Sequence, residues 1–295
     1  MSENDDLLDQ LSRLRINTDT TVQRRAPHKP LLLLFYLGLL QKGKERLHPY
    51  VEIEPFMFEA LRRFGPQRKQ IHPEYPFWAL TNDGICEVKH RGPLTKKKNE
   101  NKPTRTSLVN AQAVGGFVTR VYFLLREDRA LQGAVAHQLL DEHFPVSLHE
   151  DLLAFFGLKL PPPLPSSPDY GVGLGLREAV LKAYGYKCSI SGFSVGAPGS
   201  PGLEATLLCW RQVGGHADIT NAITTTTTYR KLFDLGLLTL DDECNVKVAT
   251  NVLEDPMTSS DIKKLNGKKL HLPNDSAACP SLPNIRWHQK EVFKS

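Results

Sequence analysis

The chain has 295 residues, of which 40% are hydrophobic and 23% are charged, and its net charge is +5. This composition is typical of a globular protein large enough for two domains, and its longest apolar run is too short to cross a bilayer. The acidic N-terminus differs from a secretory signal, and five scattered cysteines give no disulfide pattern. We therefore expect a cytoplasmic protein with reduced thiols.

The first half of the chain is predicted to be mostly helical. The run "PLLLLFYLGLL", with Pro30 at its start and Gly43 after it, is typical of a buried helix, and "EPFMFEALRRFG" repeats this pattern. Residues 119–144 carry apolar side chains at helical spacing, and Ser147 with Glu150 predicts a capping box for the next helix. Between these helices, "HPEYPFWALTNDGICEVK" predicts a rigid loop that leads into a short strand or hairpin.

A proline-rich segment at residues 158–173 divides the chain into two predicted domains. Its five prolines and two serines cannot continue a helix and favour an extended spacer. We expect domains at residues 10–157 and 174–295. The second domain is predicted to be α+β, with a helix in "LREAVLKAYG" and a hairpin that turns at residues 241–243.

Basic charge is concentrated in the first domain. Residues 24–105 contain 17 Lys and Arg against 8 Asp and Glu, including an exposed loop around Lys96–Lys98. This surplus favours a polyanionic partner. A solvated basic surface without any partner is the alternative.

Five blocks of the second domain resemble, in order, an HNH nuclease domain of the ββα-metal type. They are "LREAVLKAYGYKCSISGF", "GLEATLLCW", "VGGHADITNAI", "YRKLFDLGLLTLDDE" and "LPNIRWHQKEVF", across about residues 175–293. The resemblance implies a histidine as general base, an asparagine that orients it and a final histidine that binds a divalent metal ion. A plain α+β interaction domain unrelated to these nucleases is the alternative.

Most residues that this chemistry needs are substituted. By the resemblance, Leu207 stands at the position of the general base, and Tyr229 and Arg230 stand where relatives carry paired histidines, so that only Asn221 remains. Leucine accepts no proton, and arginine ligates no cation. We therefore expect a non-cleaving domain with no intact catalytic residue, no metal ligand and no cofactor. A divalent ion (Mg, Mn or Ni) belongs only to the alternative of an active nuclease.

The structural zinc site of many relatives is also lost by this comparison. Cys188 is followed by Ser191 instead of a second cysteine, and Thr226 and Tyr229 occupy the closing positions, which leaves one ligand of four. The repeat in "NAITTTTTYRKLFD" adds five β-branched residues at the helix that holds the metal in relatives. Because threonine is a poor helix former, we expect a weakened or locally remodelled fold there.

Four blocks of the first domain, "RAPHKPLLLLFYLGLL", "FGPQRKQIHPEYPFWALTNDGICEV", "NAQAVGGFV" and "DEHFPVSLHEDLLAFFGL", resemble the DNA sulfur-binding domain of phosphorothioate-dependent type IV restriction endonucleases. The resemblance implies recognition of a backbone phosphate in which sulfur replaces one non-bridging oxygen. Sulfur is larger and a weaker hydrogen-bond acceptor than oxygen, so a selective pocket should be apolar and rigid. The implied fold class is α+β, a mostly helical sulfur-binding domain followed by an HNH-like ββα-metal domain.

The same resemblance assigns the residues that contact DNA. The sulfur wall is implied to consist of Tyr75, Pro76, Trp78 and Ala79, with His28 and Lys29 on its other side, and phosphate contacts are expected from Arg25, Arg68 and Lys69. Lys29 stands where relatives often carry arginine, which keeps the charge and loses bidentate base recognition. Two alternatives stay open, because the aromatic turn can anchor the core and His28 can cap the leucine-rich helix.

These features predict a protein that binds phosphorothioate-modified double-stranded DNA without cleaving it. An active, metal-dependent HNH restriction endonuclease and a decayed gene product without function in either half are the alternatives. No membrane partner is expected, and a homodimer through the C-terminal domain stays open.

Overall fold

The computed structural model describes residues 3–14, 25–96, 102–160 and 173–295. The chain forms two compact units. The first comprises residues 1–18, 26–144 and 149–164, and the second comprises residues 19–25, 145–148 and 165–295. The boundary between Leu164 and Pro165 falls in the proline-rich segment. Most of that predicted linker, and Lys97 and Lys98 of the predicted basic loop, lie outside the described residues.

The first unit consists of helices around a small antiparallel sheet with strand order β1-β3-β2. Its elements are α1 (Glu3–Ser12), α2 (His28–Gln41), β1 (Leu47–Pro49), α3 (Tyr50–Phe64), α4 (Glu74–Ala79), β2 (Cys86–Lys89), α5 (Arg105–Asn110), β3 (Val114–Phe117), α6 (Thr119–Glu127), α7 (Arg129–His143) and α8 (His149–Phe156). None of the helices in the described part of the chain is long and apolar enough to cross a membrane.

Helix α2 is the core of the first unit. Every residue from Pro30 to Gly38 is buried, which is the expected environment for a helix that is apolar on all sides. Gly38 allows α8 to approach closely, because a Cβ at this position would lie 2.5 Å from the backbone oxygen of Phe156. The predicted helix is therefore present, and it begins two residues before Pro30.

The segment predicted as a rigid loop is helical instead. It forms α4 and a 3-10 turn, Leu80–Asp83, before the predicted strand β2. The two prolines explain the difference. Pro73 is the N-cap residue and Pro76 lies in the first turn, where helical N–H groups have no intrahelical partner to lose. Gly84, with a φ of 71°, then ends the helical segment.

The second unit is a mixture of short strands and helices, as its sequence predicts. Its elements are α9 (Leu174–Ala183), β4 (Leu203–Leu207), β5 (Ala222–Thr226), α10 (Thr227–Asp234), β6 (Leu238–Leu240), β7 (Val246–Val248), α11 (Thr250–Glu254), α12 (Ser260–Lys263) and α13 (Leu282–Glu291). Strands β4 and β5 pair antiparallel, with Leu207 opposite Ala222. The predicted hairpin is formed by β6 and β7.

The threonine run ends a strand and begins a helix. Thr224 and Thr225 are buried in β5, where β-branched side chains suit the extended backbone. The hydroxyls of Thr225 and Thr206 are 2.6 Å apart across the strand pair. The Thr226 hydroxyl caps α10 by accepting a hydrogen bond from the Tyr229 amide. The prediction that the whole run falls in a helix is therefore wrong, because Thr224 and Thr225 lie in β5 and Thr226 is the N-cap residue of α10.

The predicted capping box before α8 is replaced by a different contact. The hydroxyl of Ser147, in the 3-10 turn Val146–Leu148, donates to the carboxylate of Asp234 at 2.5 Å.

Candidate nucleic-acid interface

The predicted sulfur-contacting residues lie on two packed elements of the first unit, the start of α2 and helix α4. His28, Tyr75, Trp78 and Ala79 are each partly exposed, and we name these four residues the α2–α4 surface. Tyr75, Trp78 and Ala79 share one side of α4 because residues three and four apart are neighbours on a helix. Pro76, the remaining residue of the predicted sulfur wall, is buried.

The aromatic segment contains both a core residue and accessible residues. Phe77 is 1% exposed, and its ring packs against Tyr50 at a centroid distance of 5.0 Å. Gly115 of β3 provides the space for this ring, because a Cβ there would lie 2.6 Å from a Phe77 ring carbon. Phe77 thus anchors α4 to the core, while Tyr75, Trp78 and Ala79 remain accessible.

Tyr75 is fixed by two neighbours that the sequence did not reveal. The His72 ring stacks on it with a centroid distance of 4.6 Å and an interplanar angle of 17°. The Lys102 ammonium lies 4.6 Å from the centre of the same ring, a cation–π contact. His72 is itself held by the buried carboxylate of Glu74, 3.0 Å from its Nδ1. The tyrosine is therefore a rigid aromatic group with a cation beside it.

Lys29, predicted to contact DNA, forms an ion pair in this structure. Its Nζ lies 2.6 Å from Oδ2 of Asp83, and the two side chains are only 12% and 4% exposed. A DNA phosphate would therefore have to compete with this carboxylate for the ammonium. The predicted capping role of His28 is also not observed, since Pro27 is the N-cap residue of α2 and no side chain caps the helix.

The three predicted phosphate contacts divide into two kinds. Arg68 and Lys69 are exposed in the loop that joins α3 to α4, where a backbone phosphate can reach them. Arg25 belongs to the second unit and is 5% exposed. Its Nη1 donates to the Glu291 carbonyl at 3.0 Å, and its guanidinium lies 3.9 Å from the centre of the Trp210 ring. This position does not support the predicted phosphate contact of Arg25.

The sequence profile of the family described as ScoMcrA-like, DNA sulfur-binding domain, matches residues 4–161. The chain belongs to this family. The match includes α1 to α8 and with them the whole α2–α4 surface.

Solved structures are similar to this chain at low identity. The sulfur-binding domain of ScoMcrA complexed with phosphorothioated DNA is 25% identical, with a TM-score of 0.42, and the match covers 51% of this chain and 94% of that chain. The sulfur-binding domain of SprMcrA complexed with phosphorothioated DNA is 21% identical, with a TM-score of 0.44, over 53% and 95% of the two chains. The type IV phosphorothioation-dependent restriction endonuclease ScoMcrA is 22% identical, with a TM-score of 0.41, over 68% and 40%. No curated protein matches the chain.

The second unit contains a shallow cleft at the positions where the HNH resemblance implies catalysis. It is lined by Pro145, Val146, Leu207, Trp210, Arg211, Gln212, Arg230 and Asp234. Arg230 is 7% exposed, and its guanidinium lies 2.6 Å from Glu204 and 3.7 Å from Asp234. Burial raises the pKa of Asp234, against the opposite effect of Arg230. Arg230 is therefore paired with Asp234 in the cleft and with Glu204 beside it.

Asn221 is the residue of the implied catalytic set that this sequence retains. Its side chain hydrogen-bonds to backbone groups. It is 1% exposed. Its Oδ1 accepts from the Cys209 amide at 2.8 Å, and its Nδ2 donates to the carbonyls of Cys209 and His216 at 2.9 and 2.8 Å. Both N–H groups of the side chain are used, so none is left to orient a catalytic group.

The residues at the implied metal positions do not fit a metal ion. Among the residues that the structure describes, no group of three His, Cys, Asp or Glu side chains is arranged to hold one. Cys188 is fully buried, and the Ser191 hydroxyl accepts from the Phe193 amide at 3.3 Å. Burial raises the pKa of the Tyr229 phenol, and the nearby Cys188 adds to this shift. Neither the zinc nor the catalytic ion therefore has a ligand set here.

Proposed function

We propose that this protein binds double-stranded DNA that carries a backbone phosphorothioate, through the α2–α4 surface. The observation that carries the proposal is the accessible side of α4, on which Tyr75, Trp78 and Ala79 are held on a helix that Phe77 anchors to the core. Membership of the sulfur-binding domain family supports it.

The chemistry of this surface suits sulfur better than oxygen. A phosphate oxygen loses strong hydrogen bonds to water when it is placed against aromatic rings and a methyl group, whereas sulfur is a weaker acceptor and loses less. The rigidity of Tyr75, held by His72 and Lys102, lowers the entropy cost of binding. Arg68 and Lys69 add phosphate contacts that do not depend on the modification and that weaken with salt.

The test is a binding experiment with paired duplexes that differ by one Rp sulfur, measured with the full-length protein at two salt concentrations. The wild type should prefer the modified duplex, and Tyr75→Ala should lose that preference. Tyr122→Ala is the matched control, because this partly exposed tyrosine lies on α6 and its hydroxyl donates to the Lys44 carbonyl. Equal binding of both duplexes by the wild type would reduce the protein to a non-specific DNA binder.

For the second unit we propose a degenerate HNH-like domain that does not cleave DNA. The order β4, β5, α10 supports the ββα part of this proposal, and the pairing of Arg230 and the commitment of Asn221 support the loss of catalysis. A homodimer through this domain stays a prediction, which sedimentation of the full chain tests.

The rival, an active restriction endonuclease, is tested with phosphorothioated and unmodified plasmids in Mg²⁺, Mn²⁺ or Ni²⁺. Our proposal expects no cleavage in any of these ions. Cleavage that EDTA abolishes, and that requires the modification, would replace the binding-only proposal with that of a nuclease.

A further inference from the structure

A buried ion pair lies directly beside the α2–α4 surface. Lys29 follows His28 in the first turn of α2, and Asp83 ends the 3-10 turn that continues α4. Their charged atoms are 2.6 Å apart, with side-chain exposures of 12% and 4%. The family resemblance assigned Lys29 to DNA contact, and it assigned nothing to Asp83.

Asp83 pairs with the Lys29 ammonium, and contacts of its own backbone fix its position. Its backbone carbonyl accepts a hydrogen bond from the Gln10 side chain at 2.8 Å, and the left-handed Gly84 follows it. An approaching phosphate must therefore compete for the ammonium against a nearly buried carboxylate, whose attraction is strong where water is excluded.

We propose that Asp83 is a positioning residue for selectivity, which holds the Lys29 ammonium away from the DNA backbone and so favours a sulfur-substituted phosphate over an ordinary one. The inference rests on the proposed function of the α2–α4 surface. Asp83 acts through Lys29 and needs no contact with DNA of its own.

The selectivity follows from what each phosphate needs. An ordinary phosphate oxygen that leaves water requires a strong donor in return, and a charged ammonium is the best one available. Sulfur requires less because it is a weaker acceptor. A surface on which the Lys29 ammonium is already paired thus penalises the oxygen more than the sulfur. Freeing the cation should remove part of this penalty.

The experiment compares the wild type with Asp83→Asn on the paired duplexes. We expect the variant to bind the unmodified duplex roughly tenfold more tightly, from one added charge-assisted hydrogen bond. The gain for the modified duplex should be smaller, so the sulfur preference falls. The slope of log K against log salt should steepen by about one, because one more phosphate is neutralised. A purely structural role of Asp83 would not change this slope.

Three variants make the test specific. Asp83→Glu, which can still pair with Lys29, should retain the wild-type preference. The double variant Lys29→Gln/Asp83→Asn should abolish the gain. Asp6→Asn makes the same charge change on α1, at an exposed pair with Arg120, and should leave the preference unchanged.

The outcomes separate the inference from the proposed function. A wild type without sulfur preference contradicts the proposed function itself. A wild type that has the preference, with a folded Asp83→Asn that keeps both the preference and the salt slope, overturns only the role of Asp83. If Asp83→Asn does not fold, the affinities of Lys29→Gln for the two duplexes test the inference instead. Affinities of Lys29→Gln close to those of the wild type support it. An equal, large loss of affinity for both duplexes would mean that Lys29 contacts a phosphate in the wild type, and would overturn it.

Discussion

The α2–α4 surface of the first unit and the cleft of the second unit differ in how their functional groups are used. On the first, Tyr75 and Trp78 are partly exposed on a helix that the buried Phe77 anchors to the core. In the second, Arg230 and Asn221 are buried, and their polar atoms bond to partners within the same unit. The comparison teaches that burial decides whether a polar side chain is accessible to a partner or serves the structure of its own unit.

The physical basis of the difference is the cost of leaving a buried polar group without a partner. A buried or half-buried carboxylate needs a cation nearby or must be neutralised. Arg230 provides that cation for Glu204 and Asp234.

The largest expected effect tests the structural role of Asn221. Asn221→Ala leaves the Cys209 amide and two carbonyls without their partner, and should lower the free energy of unfolding by about 3 kcal/mol. DNA affinity and sulfur preference should stay unchanged. Thermal unfolding measures the loss of stability, and duplex binding measures the affinity and the preference. Asn284→Ala is the matched control, because its amide makes a single long bond of 3.4 Å to the Thr220 carbonyl. A stable Asn221→Ala would contradict the comparison.

The next prediction addresses the support of α4. Gly115→Ala places a methyl group within 2.6 Å of the Phe77 ring, which should shift α4 and lower the stability by about 1–3 kcal/mol. Because Tyr75 moves with α4, the sulfur preference should fall as well. Gly92→Ala is the control, since its added Cβ meets nothing closer than 3.6 Å. An unchanged preference in a destabilised Gly115→Ala would show that the surface does not depend on this packing.

The third prediction compares how the two units respond to acid. Burial lowers the pKa of His143 in the first unit to about 4 and that of His288 in the second to about 3. An unfolded histidine titrates near 6.5, so the unfolded chain binds more protons below this pH. The free energy of unfolding should therefore be highest above about pH 6.5. Below this pH, each of the two histidines should lower it by about 1.4 kcal/mol per pH unit, until the pH reaches the lowered pKa of that histidine.

Chemical denaturation between pH 7 and 5 measures this slope. His288 accepts a hydrogen bond from the Thr239 hydroxyl at 2.8 Å and has Nε2 3.2 Å from the Phe233 carbonyl, which fits a neutral ring that donates through Nε2. His288→Gln should flatten the slope of the second unit while the first unit keeps its own. The same slope in the variant would contradict the assignment to His288.

The smallest expected effect concerns Arg68 and Lys69, which are exposed in the loop that joins α3 to α4. Arg68→Ala and Lys69→Ala should each weaken binding to modified and unmodified duplexes by the same factor, and should lower the salt slope by about one. Titrations at several salt concentrations measure both quantities. A loss confined to the modified duplex would mean that the loop takes part in sulfur recognition.

Much of the fold could be predicted from local pattern alone. The leucine-rich α2, the helices of residues 119–143 and the β6–β7 hairpin follow from apolar spacing and turn residues, which are properties of neighbouring positions. The errors at α4 and at the threonine run have a common cause. A proline disfavours the interior of a helix but fits its first turn, and a threonine disfavours a helix but fits a strand, so the result depends on where the boundary falls.

The sequence by itself determined the family of the first domain, the basic charge of the region around it and the absence of histidine at Leu207, Tyr229 and Arg230, because these depend only on residue identity and order. The tertiary structure decided which of the named residues are accessible. It paired Lys29 with Asp83, buried Arg25 beside Trp210 and set Lys102 over the ring of Tyr75. These contacts join residues far apart in the chain, and their distances are set by packing.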